Sequence, residues 1–241
     1  MENSLIQTSH LNFKYQEEYI LKDINFTINR NEFVVILGPR GEGKSTLLKV
    51  MAGLFLIEEG DVFYDSVNLR KIPKKELMAI HRRTSFVFQD AALISNIRVF
   101  DNLALPLRYN QMNTEEEIRV IIYDLLDKVG LLNVKDLLPA FISLGQRRIL
   151  ATLRAILVNP ETIFYDEPLA NLDKPSRSMI RNIIRDTLKK NITSIVVSHE
   201  FDEFKDFVTH VIVLKDRTVY RTGTLDEILN TSDEYIKSLI S

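Results

Sequence analysis

The chain of 241 residues contains no cysteine and no tryptophan. The lack of cysteine excludes a disulfide framework, thiolate catalysis and zinc sites with cysteine ligands. The apolar runs at 33–37 and 211–214 are far shorter than the roughly 20 residues that a membrane-spanning helix needs. The polar, acidic start has no basic segment followed by an apolar one, so we expect no secretory signal and an intracellular protein.

The chain also lacks a large excess of either charge. It has 31 Lys and Arg residues and 33 Asp and Glu residues, and its formal net charge is -2. This balance gives no basic surface of the kind that binds nucleic acid, so we expect no nucleic-acid partner. The composition is 45% hydrophobic and 27% charged, which is ordinary for a soluble globular protein with a sizeable core. The length fits one large domain, or one domain with an inserted lobe.

Buried strands alternate with helices along the chain. The continuous apolar run Phe33–Leu37, which ends at Gly-Pro, predicts a strand buried on both faces, and similar runs follow at 162–165 and 192–197. Helices are predicted between and after them, at 44–51, 115–129, 147–157 and 175–190. This alternation is typical of an α/β protein with a parallel sheet.

Other segments predict additions to that sheet. Alternating patterns at 5–15 and 20–28 indicate two strands of an antiparallel edge layer. The segment 89–144 is mainly helical and indicates an inserted lobe, in which Thr114 and Glu117 form a capping box. The chain ends with a predicted hairpin, 211–214 and 218–222, and short helices over 226–240.

A glycine-rich segment follows the first buried strand and precedes a helix. It fits the pattern G-x-x-x-x-G-K-[ST] and comprises Gly38, Pro39, Arg40, Gly41, Glu42, Gly43, Lys44, Ser45 and Thr46. Such a loop turns its N–H groups toward a phosphate chain, the lysine reaches the β- and γ-phosphates, and the serine binds Mg²⁺. The alternative, a chance glycine turn, does not explain why a buried strand and a helix flank the segment.

Two adjacent acids, Asp166 and Glu167, end a later apolar strand. In a parallel sheet that end faces the same crevice as the phosphate loop. We expect Asp166 to hold Mg²⁺ through water and Glu167 to orient the attacking water. The alternative is a solvated acidic helix start. Together the two motifs predict hydrolysis of a nucleoside triphosphate.

With these motifs in order, nearly the whole chain resembles the ATPase subunits of ABC transporters. The further segments that carry the resemblance are Tyr15, Gln89, Ile142-Ser-Leu-Gly-Gln146, Ala170-Asn-Leu-Asp173 and His199 in Val-Val-Ser-His-Glu. The resemblance implies the α/β fold of P-loop NTPases in its ABC ATPase form, with a mixed or parallel core sheet, an antiparallel β edge layer and an inserted α-helical subdomain. It also implies one domain over 1–241, with a core of 1–88 and 155–241 and a helical subdomain of about 89–154.

The resemblance implies a role for each matched residue. Tyr15 would stack on the adenine of ATP, while Gln89 would contact Mg²⁺ and the water and relay to a membrane subunit. His199 would hydrogen-bond the γ-phosphate and the water of Glu167, and Asp173 would belong to the D-loop. The alternatives are packing among neighbouring aromatics for Tyr15, a polar strand end for Gln89 and an exposed loop histidine for His199.

The family's mechanism requires two copies. Ser143, Gly145 and Gln146 of one copy complete the γ-phosphate site of the other, so the resemblance implies a homodimer around two ATP molecules with Mg²⁺. Leu144 departs from the pattern, because the family has glycine there. If that backbone needed a positive φ, leucine would cost roughly 1–3 kcal/mol. Arg40 and Glu42 also replace small residues, but at positions that offer mainly backbone N–H groups.

Short stretches at 90–95, 99–102, 105–108 and 234–240 are most similar to the Mla-type ATPases, which move phospholipid for proteins of the MCE class. This similarity implies an integral membrane permease as a partner, together with MCE-type lipid-binding and small regulatory subunits. It also implies a peripheral position on the cytoplasmic face of the inner membrane.

Two other functions stay open at this point. Methionine importers and the ATPases of cell division or lipoprotein release share the Asn-x-Ala-x-Pro-Leu phrase found at 102–107. The chain could therefore serve an importer of a small solute, or a non-transport mechanical or regulatory module, which Leu144 favours.

Overall fold

The structure, a computed structural model, describes residues 3–111 and 113–240. Within these ranges ten strands form two sheets. The strands are β1 (Ser4–Tyr15), β2 (Glu18–Asn29), β3 (Phe33–Leu37), β4 (Glu59–Tyr64), β5 (Val67–Asn68), β6 (Thr84–Val87), β7 (Thr162–Asp166), β8 (Thr193–Val197), β9 (His210–Lys215) and β10 (Thr218–Thr224). The helices are α1 (Lys44–Met51), α2 (Lys74–Arg83), α3 (Val99–Asn110), α4 (Glu115–Lys128), α5 (Leu144–Ile156), α6 (Lys174–Leu188), α7 (Leu225–Leu229) and α8 (Glu234–Ile240).

The larger sheet is the mixed, mainly parallel core that the sequence predicts. Its order is β10-β9-β3-β8-β7-β6, in which only β10 pairs in the antiparallel direction. Strand β3 is buried on both faces, as its continuous apolar run predicts. Val34 and Ile36 pack into one hydrophobic core, whereas Phe33, Val35 and Leu37 pack into the other.

The smaller sheet is the antiparallel layer, with the order β2-β1-β4-β5. It covers one face of the large sheet together with α1, and the second hydrophobic core lies between them. Sequence analysis predicts β1 and β2 but misses β4, β5 and α2. Strands β4 and β5 are short, and α2 has a single buried residue, Ile80. Such segments show little hydrophobic periodicity in the sequence.

Helix α5 differs from its prediction. It begins at Leu144, three residues before the expected start. Ser143 caps it: the Gln146 N–H donates to Ser143 Oγ at 3.1 Å, and the Ser143 N–H donates to Gln146 Oε1 at 2.9 Å. This Ser-x-x-Gln capping box is readable in the sequence, although the expected helix starts only at residue 147. The correction places the whole Ser143 to Gln146 segment at the N-terminus of α5.

The other predicted helices and strands are present, with ends that differ by one or two residues. The capping box of Thr114 and Glu117 is confirmed at α4. The division into a core of 1–88 and 155–241 and a helical subdomain of about 89–154 stays a prediction. Helix α5 crosses the second boundary and packs both on α3 and on α6. Among the helices of the described residues, none is long and apolar enough to span a membrane.

Gly145 sets how closely α5 approaches α6. A Cβ atom at this position would lie 2.1 Å from Ser176 Oγ and 3.0 Å from Ser176 Cβ. We predict that Gly145→Ala destabilises the fold by about 1–3 kcal/mol through overpacking. Ser176→Ala removes the hydroxyl and should restore part of that loss in the double variant. Urea unfolding of the four proteins measures the coupling, and a native free energy of unfolding for Gly145→Ala would contradict the close packing.

Candidate functional site

The glycine-rich loop connects β3 to α1 in the predicted way. Gly43 has a φ of +83°, and a Cβ atom there would lie 2.7 Å from the carbonyl oxygen of Ile20, so only glycine fits. Lys44 Nζ donates to the carbonyl oxygens of Gly38 and Pro39, both at 2.7 Å. Burial lowers the pKa of Lys44, opposed by the negative charges of nearby acids. The loop therefore holds a buried cation at the start of a helix, which is a site for an anion.

The strand end at Asp166 meets this loop. Ser45 Oγ donates to Asp166 Oδ1 at 2.6 Å, and Asp166 is buried. The contact joins residues 121 positions apart in sequence. It brings together a hydroxyl and a carboxylate, which are hard oxygen ligands, directly beside the phosphate loop.

Glu167 and His199 face each other at the same edge. His199 Nε2 lies 3.2 Å from Glu167 Oε1. Burial raises the pKa of Glu167, opposed by a hydrogen bond from the main chain of His199 and by the charge of Lys44. Burial lowers the pKa of His199, and the charges of Lys44 and Arg40 lower it further. At neutral pH the imidazole is therefore uncharged and can act as a hydrogen-bond partner.

Residues of the phosphate loop, together with Glu167 and His199, line one cavity of about 650 Å³. Of the residues singled out in the sequence, it is lined by Arg40, Gly41, Gly43, Lys44, Ser45, Thr46, Gln89, Glu167 and His199. Its walls thus combine the phosphate loop, the end of β7 and the segments that follow β6 and β8. Nine of the predicted site residues therefore line this one cavity, and Asp166 contacts one of them, Ser45.

Tyr15 lies outside that cavity. Its side chain is 69% exposed at the end of β1, so a ring face is accessible to a ligand. It borders a separate cavity of about 380 Å³, beside a stacked pair formed by Phe13 and Phe55. Stacking of Tyr15 on adenine stays a prediction.

Four other predicted residues also lie away from the phosphate cavity. Ser143, Gly145 and Gln146 form the N-terminus of α5, and Asp173 caps α6 by accepting from the Ser176 N–H at 2.8 Å. None of the four lines the cavity of its own chain. Their action on a second copy stays a prediction.

Leu144 has an ordinary backbone. It is the first residue of α5 and is not among the residues with a positive φ. The strain expected on the assumption of a positive φ is therefore absent in this chain. Leu144 is 39% exposed, so it adds an exposed apolar side chain at the start of α5 and leaves the backbone helical.

Sequence analysis missed an ion pair at the cavity. Arg177 and Glu200 both line it and pair through two contacts of 2.8 Å. Arg177 Nε also donates to the carbonyl oxygen of Leu172 at 3.0 Å. The signal was present, since Arg177 lies one helical turn after Asp173 and Glu200 directly follows His199, but only the fold shows that they meet.

A phosphate loop between a buried strand and a helix, with an acid pair at the end of a parallel strand, defines a P-loop nucleoside triphosphatase. The family model described as ABC transporter matches residues 21–170. The chain belongs to the ABC transporter family, and within it the chain is an ATP-binding, ATP-hydrolysing subunit.

Several curated relatives match over almost the whole chain. The intermembrane phospholipid transport system ATP-binding protein MlaF of Haemophilus influenzae is 33% identical over 97% of this chain and 89% of its own length. The protein of the same name from Escherichia coli K12 is 27% identical over 98% and 88%. The methionine import ATP-binding protein MetN of Clostridioides difficile is 30% identical over 98% and 74%.

Solved structures agree with the fold. The dimeric structure of MJ0796, a bacterial ABC transporter cassette, has a TM-score of 0.83 at 31% identity, covering 92% of this chain and 99% of that one. A dimeric post-hydrolysis state of the same cassette, bound to ADP and Pi, has a TM-score of 0.84 over the same shares. The predicted fold class and ATPase activity are therefore confirmed.

The buried carboxylate of Glu167 has a consequence for stability. Because its pKa is raised in the folded state, the ionised form opposes folding at pH 7, and this penalty vanishes as the pH falls below the ordinary value of 4.5. We predict that Glu167→Gln raises Tm at pH 7, by roughly 2–4 °C for each 1 kcal/mol relieved. The gain should disappear near pH 4.

Calorimetry of Glu167→Gln across this pH range measures the effect. Glu58→Gln, which removes an exposed glutamate outside the cavity, is the matched control and should leave Tm unchanged at both pH values. A lower Tm for Glu167→Gln at pH 7 would contradict the raised pKa.

Proposed function

We propose that this chain hydrolyses ATP to drive phospholipid movement between membranes, as a homodimer attached to an integral membrane permease. The phospholipid substrate is inferred from the 33% identity, over 97% of the chain, to a relative named as part of an intermembrane phospholipid transport system. MCE-type lipid-binding and small regulatory subunits belong to the same proposal. The dimer would lie peripherally on the cytoplasmic face of the inner membrane.

In this proposal the phosphate loop binds the triphosphate of ATP. The N–H groups of residues 41–46 and Lys44 Nζ stabilise the charge on the phosphates, after Lys44 exchanges the carbonyl oxygens of Gly38 and Pro39 for phosphate oxygens. Glu167 orients the attacking water and accepts its proton. Neutral His199 donates a hydrogen bond toward the γ-phosphate or this water.

The residues at the cavity fit Mg²⁺. Ser45 Oγ and Asp166 Oδ1 lie 2.6 Å apart beside the phosphate loop, and Gln89 lines the same cavity. These are the oxygen ligands that Mg²⁺ prefers, together with phosphate oxygens and water. We assign Ser45 and Gln89 as direct contacts and Asp166 as a contact through water. When bound, the ion would neutralise charge on the phosphates.

A second copy would complete each site. Solved cassettes of similar fold are dimers, and the N-terminus of α5 lies outside its own chain's cavity. A capped helix N-terminus retains unpaired N–H groups and a partial positive charge, which suit the γ-phosphate of the other copy. Ser143, Gly145 and Gln146 would supply this contact, and Asp173 would lie at the interface.

The permease would dock in a groove of about 350 Å³ between the core and the lobe. Met78 of α2 and Leu105, Pro106 and Tyr109 of α3 give the groove an apolar wall, while Arg154 contributes charge. Such a groove suits an amphipathic helix of a membrane subunit. Gln89 directly precedes the segment that leads into α3, so it links this groove with the ATP site.

A second candidate is an importer of a small solute. It is favoured by the 30% identity to MetN and by a 32% identity over 94% of the chain to the spermidine/putrescine import ATP-binding protein PotA of Clostridium acetobutylicum. A non-transport module is favoured by Leu144 only if the leucine strains the backbone. Because Leu144 has a helical backbone, that support is removed.

Reconstitution tests the proposal. The chain is purified with its membrane partner, placed in vesicles with a fluorescent phospholipid, and supplied with Mg-ATP. We predict lipid transfer to acceptor vesicles at a rate that follows phosphate release, and loss of both activities in Glu167→Gln by about 1000-fold, as for the loss of a required base.

The control is Glu116→Gln, which changes an exposed glutamate of α4 that lines neither the phosphate cavity nor the cavity beside Tyr15, and it should transfer lipid like the native chain. ATP-driven uptake of methionine or a polyamine without lipid transfer would favour the importer. Hydrolysis with no movement of lipid or solute would favour a mechanical or regulatory module.

A further inference from the structure

Helix α5 contacts the backbone of Glu167 through a buried arginine. Arg148 lies in the first turns of α5, five residues after the cap Ser143. Its Nη1 donates to the main-chain carbonyl oxygen of Glu167 at 2.9 Å, and the residue is only 4% exposed. The same helix thus presents its N-terminus at the surface and its guanidinium to the proposed base.

The backbone of Glu167 is held on both sides. Its φ is +49°, in the left-handed region that a residue with a side chain seldom adopts. Its N–H donates to the Val197 carbonyl oxygen at 3.0 Å, and its own carbonyl accepts from Arg148 at 2.9 Å and from the Ala170 N–H at 3.3 Å. Such a conformation persists only where the surroundings fix it. The direction of the carboxylate toward His199 therefore depends on these three hydrogen bonds, and that of Arg148 is the shortest and the only one made by a side chain.

Burial of the charged Arg148 side chain would be energetically unfavourable if this residue served only to fill space. Burial lowers the pKa of its guanidinium, while the charges of Asp90, Asp166 and Glu167 oppose this effect. Its Nε is buried with no hydrogen-bond partner within the described part of the chain. An apolar side chain would pack here without leaving a polar atom unpaired. The contact with Glu167 is what the arginine adds.

We propose that Arg148 is a positioning residue, which couples the orientation of α5 to the carboxylate of Glu167 in the same chain. The inference rests on the proposed function, in which the N-terminus of α5 contacts the γ-phosphate bound by the other copy. A shift of α5 when it meets that phosphate then moves the Glu167 peptide through one hydrogen bond. Each ATP site thereby controls the base of the other.

A second arginine of α5 supports this role of the helix. Arg154 Nη2 donates to the carbonyl oxygens of Ala91 and Ala92, at 3.3 and 2.9 Å. Both alanines have a positive φ, +68° and +45°, and they follow Gln89 closely. Helix α5 therefore contacts two backbone segments with positive φ. One is Glu167 itself, and the other follows Gln89; both residues belong to the proposed site.

The test compares Arg148→Met, which removes the donor, with Arg148→Lys, which keeps one. The matched control is Arg181→Met, because Arg181 on α6 also donates to a main-chain carbonyl, that of Glu203 at 2.6 Å. Phosphate release against ATP concentration is measured on the complex with its membrane partner, and binding of a fluorescent ATP analogue is measured separately.

We expect Arg148→Met to lower kcat by about 100-fold, as for a misplaced catalytic group, with KM and analogue binding within about twofold. The proposed link predicts a Hill coefficient above 1 for the native complex, and a native value of 1 would contradict it. In Arg148→Met the coefficient should fall to 1, because the link between sites is lost. Arg148→Lys should recover most of kcat and the cooperativity. Arg181→Met should keep both.

Unchanged kcat and Hill coefficient in folded Arg148→Met would overturn the coupling. If that variant fails to fold, the same comparison is made with Arg148→Gln, whose amide is polar but too short to reach the Glu167 carbonyl oxygen, so the same losses are expected. Loss of kcat in Arg181→Met to the same extent would also overturn it, since a general packing defect would then explain the effect. Full activity in Glu167→Gln would instead contradict the proposed function, so the two failures are distinguishable.

Discussion

Burial of the central strands on both faces is the constraint on which the rest of the structure depends. Strands β3, β8 and β7 are fully buried and parallel. Parallel pairing brings their carboxyl ends to one edge of the sheet, where the polar residues at these ends meet in one crevice. The phosphate loop, the Asp166 and Glu167 pair and His199 each follow one of these strands. The site is therefore a result of the sheet order, before any ligand binds.

Most of this site could be predicted because its signals are local. A glycine pattern, an acid pair at a strand end and capping boxes are each read within a few residues of sequence, and the buried strands identify which edge they share. The missed features depend on the tertiary fold. Arg177 meets Glu200 across 23 positions, and Arg148 meets Glu167 across 19. Strand β4 takes its place from pairing with β1, and β5 from pairing with β4, which the short segments themselves do not indicate.

Electrostatics at the cavity explains how acid and base groups coexist there. Burial acts on Lys44, Glu167 and His199 in the same sense, because it disfavours every charged form. The charges of neighbouring acids support the charged form of Lys44, whereas those of Lys44 and Arg40 oppose protonation of His199. At Glu167 the charge of Lys44 supports the ionised form, and the charges of Asp166 and Glu200 oppose it. The result is a cation, a carboxylate of raised basicity and a neutral imidazole within one cavity. That combination suits a reaction in which water loses a proton beside a phosphate.

Leu144 shows why the departure from the family pattern is compatible with activity. The helix N-terminus offers N–H groups, which any residue other than proline supplies, and the backbone of Leu144 is helical. A leucine there changes only what surrounds those groups. Its exposed side chain, three residues after the exposed Phe141 in sequence, adds apolar surface to the rim of the α5 N-terminus. Water excluded from this rim would strengthen the interaction between the helix N-terminus and a phosphate. The substitution therefore alters the environment of the proposed contact while keeping the donors that would make it.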